Sequence, residues 1–360
     1  MMKKRCAVVG ATGIAGQQFL VALDRHPWFD VVMLAASERS AGKTYDAALR
    51  DAKTGARRWW CLEEPPGHVL DLPVQNADGL NVAGVDVVFS AVESEAARVL
   101  EPQYAKTTAV LSTASAFRYE DDVPILVPGV NLAHAAEIDR QRRQRGWRGF
   151  IVPLPNCTTM GLVVTLKPLL DRFGVRRVIM TSMQGVSGAG RSPGVMALDI
   201  LDNVIPYIPG EEEKVARETG KILGRLADHG IVPEAFPVSA TCTRAAVTEA
   251  HTEAVTVSLG RPASPVDVAA AFREFGGELT RLGLPSAPRR LITVHDDPFR
   301  PQPRLDRDAD GGMTTSVGRI REDPALEHGI KYVLVSHNTK MGAAKGAVLT
   351  AEYLATVGYL

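Results

Sequence analysis

Short apolar runs alternate with amphipathic segments through the first half of the chain. Residues 6–9 are continuously apolar and lead into a glycine-rich turn; 14–26 repeat apolar side chains at helical spacing, and 31–36 are apolar again. The alternation returns at 85–90, 95–104 and 109–111. Strand, helix and strand in that order predict βαβ units, hence a parallel sheet with helices on both faces. Residues 45–77 carry more charge, tryptophan and proline and read as an irregular excursion.

Beyond Pro155 the pattern changes. Residues 158–173 have helical periodicity and 177–184 read as a strand. A glycine-rich turn follows at 185–194, where Ser192 and Pro193 are set to open another helix. Residues 251–259 alternate in strand fashion, and Ser264 and Pro265 read as the N-cap and first residue of a helix over 266–282. Strands at 291–295, 314–320 and 332–336 predict a largely antiparallel sheet with helices on one face, and 342–355 a last helix. The expected fold class is α/β. A Rossmann-type parallel-sheet domain spans 1–155 and is rejoined by 338–360; an α+β catalytic and dimerisation domain spans 156–337.

Bulk composition narrows the function classes. At 360 residues the chain exceeds what one core usually serves, which fits two domains. Lys+Arg and Asp+Glu are both 41, so no broad electrostatic footprint for nucleic acid or an anionic membrane exists. The four cysteines, Cys6, Cys61, Cys157 and Cys242, form no paired spacing, which argues against a zinc site or disulfide framework and for a reducing compartment. Glycines interrupt the first apolar stretch too early for a signal segment, and no later run approaches the ~20 residues of a membrane span. A soluble, cytoplasmic protein without metal is expected.

Two local patterns carry chemistry. Gly10, Gly13 and Gly16 lie directly after a strand and before a helix, the context in which glycines let backbone N–H groups approach a pyrophosphate. At the end of the second strand, where an NAD site usually shows an acidic residue, Arg39 is flanked by Ser37 and Ser40, which suits a 2′-phosphate and favours NADP despite Glu38. The second pattern is Cys157, at the start of a predicted helix after Asn156. The positive end of the helix dipole favours a thiolate, the form that attacks an acyl carbon. A single cysteine is more often an inert buried side chain, so its partners decide.

The chain resembles the aspartate-β-semialdehyde dehydrogenase family, in its archaeal and fungal branch, nearly from end to end. The likeness rests on GATGIAG at 10–16, SERSAGK at 37–43, SAFR at 115–118, PNCTT at 155–159 and QGVSGAG at 184–190. It continues through LDILDNVIPYIPGEEEK at 198–214, HTEAV at 251–255, VGRIRED at 317–323 and SHNTKMGAA at 336–344. The resemblance implies a glyceraldehyde-3-phosphate dehydrogenase-like fold, an NADP-dependent reduction of an acyl phosphate through an enzyme-bound thioester, and a homodimer or dimer of dimers built through the second domain's sheet. Cys157 would be the nucleophile, His251 the acid/base and Gln184 the group that positions the acyl carbon. Arg244 would grip the substrate carboxylate and Glu211 its ammonium, with Lys214 and Arg118 holding phosphate and Asn156 beside them. Cofactor contacts are expected at Gly10, Thr12, Gly13 and Ile14, and at Ser37, Arg39 and Ser40. Ser90, Ser187, Gly188 and Asn338 complete that set, Asn338 facing the nicotinamide carboxamide.

The chain departs from the family around the arginine and histidine. Relatives usually show Arg-Val-Pro-Val and a glycine before the histidine; here the residues are Arg244-Ala245-Ala246-Val247 and Ala250. Gly129 stands where an acidic residue is common, and Lys345 where a small one is. These departures leave room for a shifted substrate. Two other enzymes fit the scaffold, a malonyl-CoA-type acyl-CoA reductase and an N-acetylglutamyl-phosphate reductase, but neither substrate has an ammonium for Glu211 to read. A catalytically silent NADP-binding sensor is opposed by the presence of Cys157, Gln184, Arg244 and His251 together.

Overall fold

Six strands make up the first sheet: β1 (Lys4–Val9), β2 (Phe29–Ala36), β3 (Val74–Asn76), β4 (Val87–Ser90), β5 (Ala109–Ser112) and β6 (Phe150–Pro153). The computed structural model describes residues 2–190 and 194–360. All neighbouring strands run parallel in the order β3-β2-β1-β4-β5-β6, the two-halved arrangement whose strand order reverses beside β1. β4, β5 and β6 are buried at every position, as expected of strands covered on both faces.

The chain divides into two units. The first comprises Met1–Ile125, His134–Leu154 and Ala343–Leu360; the second, Leu126–Ala133 and Pro155–Gly342. In the first, the helix Ile14–Leu23 stops earlier than its apolar periodicity predicts. Arg25 adopts φ +50°, and His26, buried, is bonded to Glu352 at 2.8 Å in the helix Ala344–Thr356. A buried polar pair thus overrides helical periodicity at residues 24–26. The excursion at 45–77 holds two short helical turns, Tyr45–Ala48, capped by Thr44, and Gly67–Val69, and returns to the sheet as β3, which its composition hid. It is fastened to the glycine turn. Tyr45 Oη donates to the Ala11 carbonyl at 2.8 Å, while the Gln17 amide donates to the carbonyls of Thr12 and Arg58 and accepts from the Trp60 N–H.

The second unit carries the strands β7 (Val175–Gln184), β8 (Arg225–Ala227), β9 (Gly230–Val232), β10 (Val238–Arg244), β11 (His251–Leu259), β12 (Ile292–Val294), β13 (Thr315–Glu322) and β14 (Gly329–Ser336). β8 and β9 form a small hairpin; the others make one sheet in the order β10-β7-β11-β14-β13-β12. This corrects the antiparallel expectation. The central pairs β7–β11, β11–β14 and β13–β14 are antiparallel, but the outer pairs β10–β7 and β12–β13 are parallel, so the sheet is mixed.

Burial alternates along β7, with Val178, Met180, Ser182 and Gln184 covered and Ile179 and Met183 exposed. The helix Cys157–Phe173 lies on the covered face, against β7, β11 and β14. Its buried Leu162, Val163, Leu166 and Leu169 each contribute about 1.5–3 kcal/mol of transfer free energy. Ser264 and Asp267 form a reciprocal capping box at the helix Pro265–Glu274. The single helix expected over 266–282 is broken, because Gly276 takes φ +85° and only a short turn, Gly277–Arg281, follows. The helix start expected at Ser192-Pro193 lies outside the described residues.

Candidate active site

Strand register assembles the site in the second unit. Arg244, the last residue of β10, pairs with Gln184, the last of β7; Gln184 pairs with His251, the first of β11; His251 pairs with Ser336, the last of β14. Paired residues project from the same face. Arg244, Gln184 and His251 therefore stand in one row, although Gly185, the neighbour of Gln184, is already 66 positions from His251 in sequence. All three are buried.

Cys157 faces this row from the first position of its helix, with Sγ 3.1 Å from His251 Nε2. Asn156 caps that helix. Its Oδ1 accepts from the N–H groups of Thr158 and Thr159 at 2.9 and 3.2 Å, a cap that stabilises a helix by about 1 kcal/mol. Its Nδ2 donates to Glu211 Oε1 at 2.8 Å, and its backbone N–H donates to Glu218 Oε2 at 2.5 Å. Lys214 Nζ is 3.8 Å from Glu211 Oε2. Glu218 was not foreseen; its spacing of seven from Glu211, two helical turns on the same face of the helix Glu211–Leu223, was the available signal.

His251 is fully buried. Burial pulls its pKa down to about 3, with the nearby Arg244 and His337 acting in the same direction and the Ala250 backbone opposing them. The Gly185 N–H is shared between the Ala250 carbonyl at 3.0 Å and His251 Nδ1 at 3.2 Å. Nε2, the other ring nitrogen, faces the sulfur. Arg244 Nη1 donates to the Gly185 carbonyl at 2.8 Å. The same short segment thus fixes both the His251 imidazole and the Arg244 guanidinium.

Asn338 Oδ1 accepts from the Ala250 N–H, and Nδ2 donates to Ser187 Oγ, both at 2.8 Å. Gly188 lies among these groups: a Cβ there would meet Arg244 Nη1 at 3.0 Å and His251 Cε1 at 3.4 Å. Arg118 belongs to the first unit, where it is buried and its Nη2 donates to the Thr113 carbonyl at 3.0 Å.

Comparisons with known proteins bear on this geometry. Residues 5–138 match the family described as semialdehyde dehydrogenase, NAD binding domain, and 166–341 match semialdehyde dehydrogenase, dimerisation domain. An aspartate-semialdehyde dehydrogenase of Methanothermobacter thermautotrophicus is 46% identical over 347 residues, 96% of this chain and 97% of that protein. That of Archaeoglobus fulgidus is 46% identical over 354 residues, 98% of each. The chain belongs to the aspartate-semialdehyde dehydrogenase family. A crystal structure from this family, that of Candida albicans aspartate semialdehyde dehydrogenase with NADP, superposes with a TM-score of 0.88 at 40% identity, covering 99% of this chain and 100% of that one.

In this aspartate-semialdehyde dehydrogenase family member, the alanine before His251 has a physical consequence. Ala250 is buried with φ +82°, a left-handed conformation that glycine adopts freely and that costs an alanine about 1–2 kcal/mol. The Asn338 side chain holds this backbone in place. Gly129 also has positive φ (+79°), and a Cβ there would lie 2.7 Å from Leu291 Cδ2.

The first unit's glycine turn is shaped for a dinucleotide. Gly10 has φ +82°, and a Cβ on it would lie 2.4 Å from the Ala91 carbonyl oxygen; on Gly16 a Cβ would lie 2.1 Å from the Gly10 oxygen. Gly13 caps the following helix without a side-chain hydrogen bond, which leaves the first N–H groups to a ligand. Thr12 and Ile14 flank Gly13 in this turn, while Ser37, Arg39 and Ser40 follow β2 directly, with Ser37 and Arg39 exposed. Ser90 ends β4, buried beside the Glu101 carboxyl. No helix among the described residues is long and apolar enough to cross a membrane, and no cluster of metal-ligating side chains occurs among them.

Proposed function

We propose that the chain is an NADP-dependent aspartate-semialdehyde dehydrogenase, which converts L-aspartyl-4-phosphate to L-aspartate 4-semialdehyde and phosphate through a thioester on Cys157. The observation that carries this reading is the 3.1 Å approach of Cys157 Sγ to His251 Nε2 at the end of the Arg244–Gln184–His251 row. The names of the relatives, and the NADP in the Candida albicans structure, supply its substrate and cofactor.

The residues divide the work by charge. Arg244 receives the substrate α-carboxylate, for which a guanidinium offers two parallel hydrogen bonds. Glu211 takes the ammonium, and Lys214 contributes to the phosphate pocket. Cys157 attacks the acyl carbon, the C–O bond to phosphate breaks, and Gln184 orients the resulting thioester. Bound NADPH supplies the hydride. His251 takes the Cys157 thiol proton on Nε2 as the thioester forms, gives it to the oxyanion left by hydride addition, and takes it back for the sulfur as the carbonyl re-forms and the C–S bond breaks. Gly10, Gly13 and the first turn of the helix Ile14–Leu23 hold the cofactor pyrophosphate, and Arg39 its 2′-phosphate.

Two further assignments belong to the same reading. The second unit pairs with another copy through the open face of its sheet, on which β7 exposes Ile179 and Met183. The cysteines, none of them in a disulfide among the described residues, fit a reducing cytoplasm.

The test is an assay in the reverse direction. Purified enzyme given aspartate semialdehyde, phosphate and NADP should reduce the cofactor, and omission of phosphate should stop it. Absence of reduction, together with oxidation of NADPH by malonyl-CoA, would overturn the assignment.

A further inference from the structure

One row behind Arg244, Gln184 and His251 lies a second row with no part in the scheme above. Cys242 on β10, Ser182 on β7, Glu253 on β11 and Leu334 on β14 are in register and all buried. Glu253 is two residues beyond His251 and so projects from the same face. Both of its carboxyl oxygens are without a hydrogen-bond partner among the described residues. The helix closes over it at Gly161, where a Cβ would meet Ser336 Cβ at 2.9 Å and Glu253 Oε1 at 3.4 Å.

We propose that Glu253 is a positioning residue of this enzyme, whose carboxyl O–H is donated to Ser182 Oγ and thereby fixes the Gln184 side chain that Ser182 holds. Gln184 Nε2 donates to Ser182 Oγ at 3.1 Å. Directly opposed residues of an antiparallel pair have Cβ atoms about 4.5–5.5 Å apart, so Ser182 is the hydroxyl across the strand that a glutamate carboxyl reaches by side-chain rotation. A serine hydroxyl has one proton and two lone pairs. At Ser182 the hydroxyl is engaged with the Cys242 sulfur, and one lone pair serves Gln184. The remaining lone pair needs a donor, which a neutral carboxyl is and a carboxylate is not.

The surroundings keep Glu253 neutral. Burial raises its pKa well above the carboxylate range. The titratable groups facing it, the Cys242 thiol and the Tyr332 hydroxyl that is bonded to Thr165, are themselves pushed up by burial and stay uncharged at neutral pH. His251 stays neutral as well. A buried acid in this state acts as a hydrogen-bond donor, not as a counter-ion.

The inference rests on the reading of Gln184 as the group that orients the thioester. Activity of the wild type with aspartate semialdehyde tests the function separately. The experiment compares Glu253→Leu, Glu253→Gln and Ser182→Ala, each alone and over Gln184→Ala. Glu253→Leu should lower kcat at least about tenfold, with KM and the Kd for NADPH within about twofold of wild type. Over Gln184→Ala the same change should cost less than about twofold, since the group it positions is gone. Glu253→Gln, which keeps a donor and the shape, should restore kcat to within about threefold and leave the pH profile unmoved. Ser182→Ala should repeat the loss and fail to add to Glu253→Leu, a result available even if Glu253→Leu folds poorly. Equal losses with and without the Gln184 side chain would overturn the proposal. So would wild-type kcat in Glu253→Leu, or Glu253→Gln as impaired as Glu253→Leu.

Discussion

Cys157 Sγ and His251 Nε2 stand 3.1 Å apart across 94 positions of sequence, one at the tip of a helix and the other at the first residue of a strand. Their meeting depends on rigid elements at both ends, which suits a bond that must form and break at one carbon. Cys157→Ala should lower turnover by about four orders of magnitude or more while leaving the Kd for NADPH unchanged, measured by fluorescence titration. Retained turnover would remove Cys157 from the scheme.

The burial of His251 has a sign that stability measurements can read. Its folded pKa is about 3 against an ordinary 6.5, so between those values the unfolded chain binds a proton that the folded chain does not. This term is present in full above pH 6.5 and is lost as the pH falls toward 3. In urea unfolding, His251→Gln should therefore gain on the wild type by about 1.4 kcal/mol for each pH unit below 6.5. Parallel curves would mean that His251 titrates normally.

Ala250→Gly should relieve the left-handed backbone before His251. Strain relief of about 1–2 kcal/mol outweighs the roughly 0.5–1 kcal/mol of added unfolded-state entropy, so the thermal midpoint should rise by a few degrees at most. Ala250→Val, β-branched at positive φ, should lower it and displace His251, visible as a fall in kcat.

Arg244→Lys keeps the charge but loses the two-pronged grip on a carboxylate, and with it the donor to the Gly185 carbonyl. KM for the semialdehyde should rise by about 10–100-fold, with the Kd for NADPH unaffected. An unchanged KM would place the carboxylate elsewhere.

Arg39→Ala should lower the preference for NADPH over NADH by about 10–100-fold in kcat/KM, the worth of one or two hydrogen bonds to a charged group. If the preference survives, another residue reads the 2′-phosphate.

Local signals made much of the fold legible. The glycine turn after β1, the capped helix at Pro265 and the apolar strands at 31–36 and 251–259 declare themselves within a few residues. Other elements were hidden by short length or mixed composition. β6 is four residues after an arginine-rich helix, and β10, VSATCTR, has little apolar alternation. Gly276 ends a helix through its backbone conformation, which periodicity does not register. At the candidate site, the family resemblance named Cys157, Gln184, Arg244 and His251 singly. The register that lines up three of them depends on hydrogen bonds between distant strands, and Ser182 and Glu253 enter only through it.

Asn156 spends its two amide ends on different tasks, with oxygen on the first turn of the Cys157 helix and nitrogen on Glu211. On the proposed roles of Glu211 and Cys157, choice of substrate and aim of the nucleophile are linked through a single side chain. A lineage or an engineer seeking an acyl substrate without an ammonium cannot simply discard Glu211, since the cap would then lose its anchor. The two positions must change together, or a replacement at 211 must still accept a hydrogen bond. Selectivity in this enzyme is in that sense heritable only as a pair.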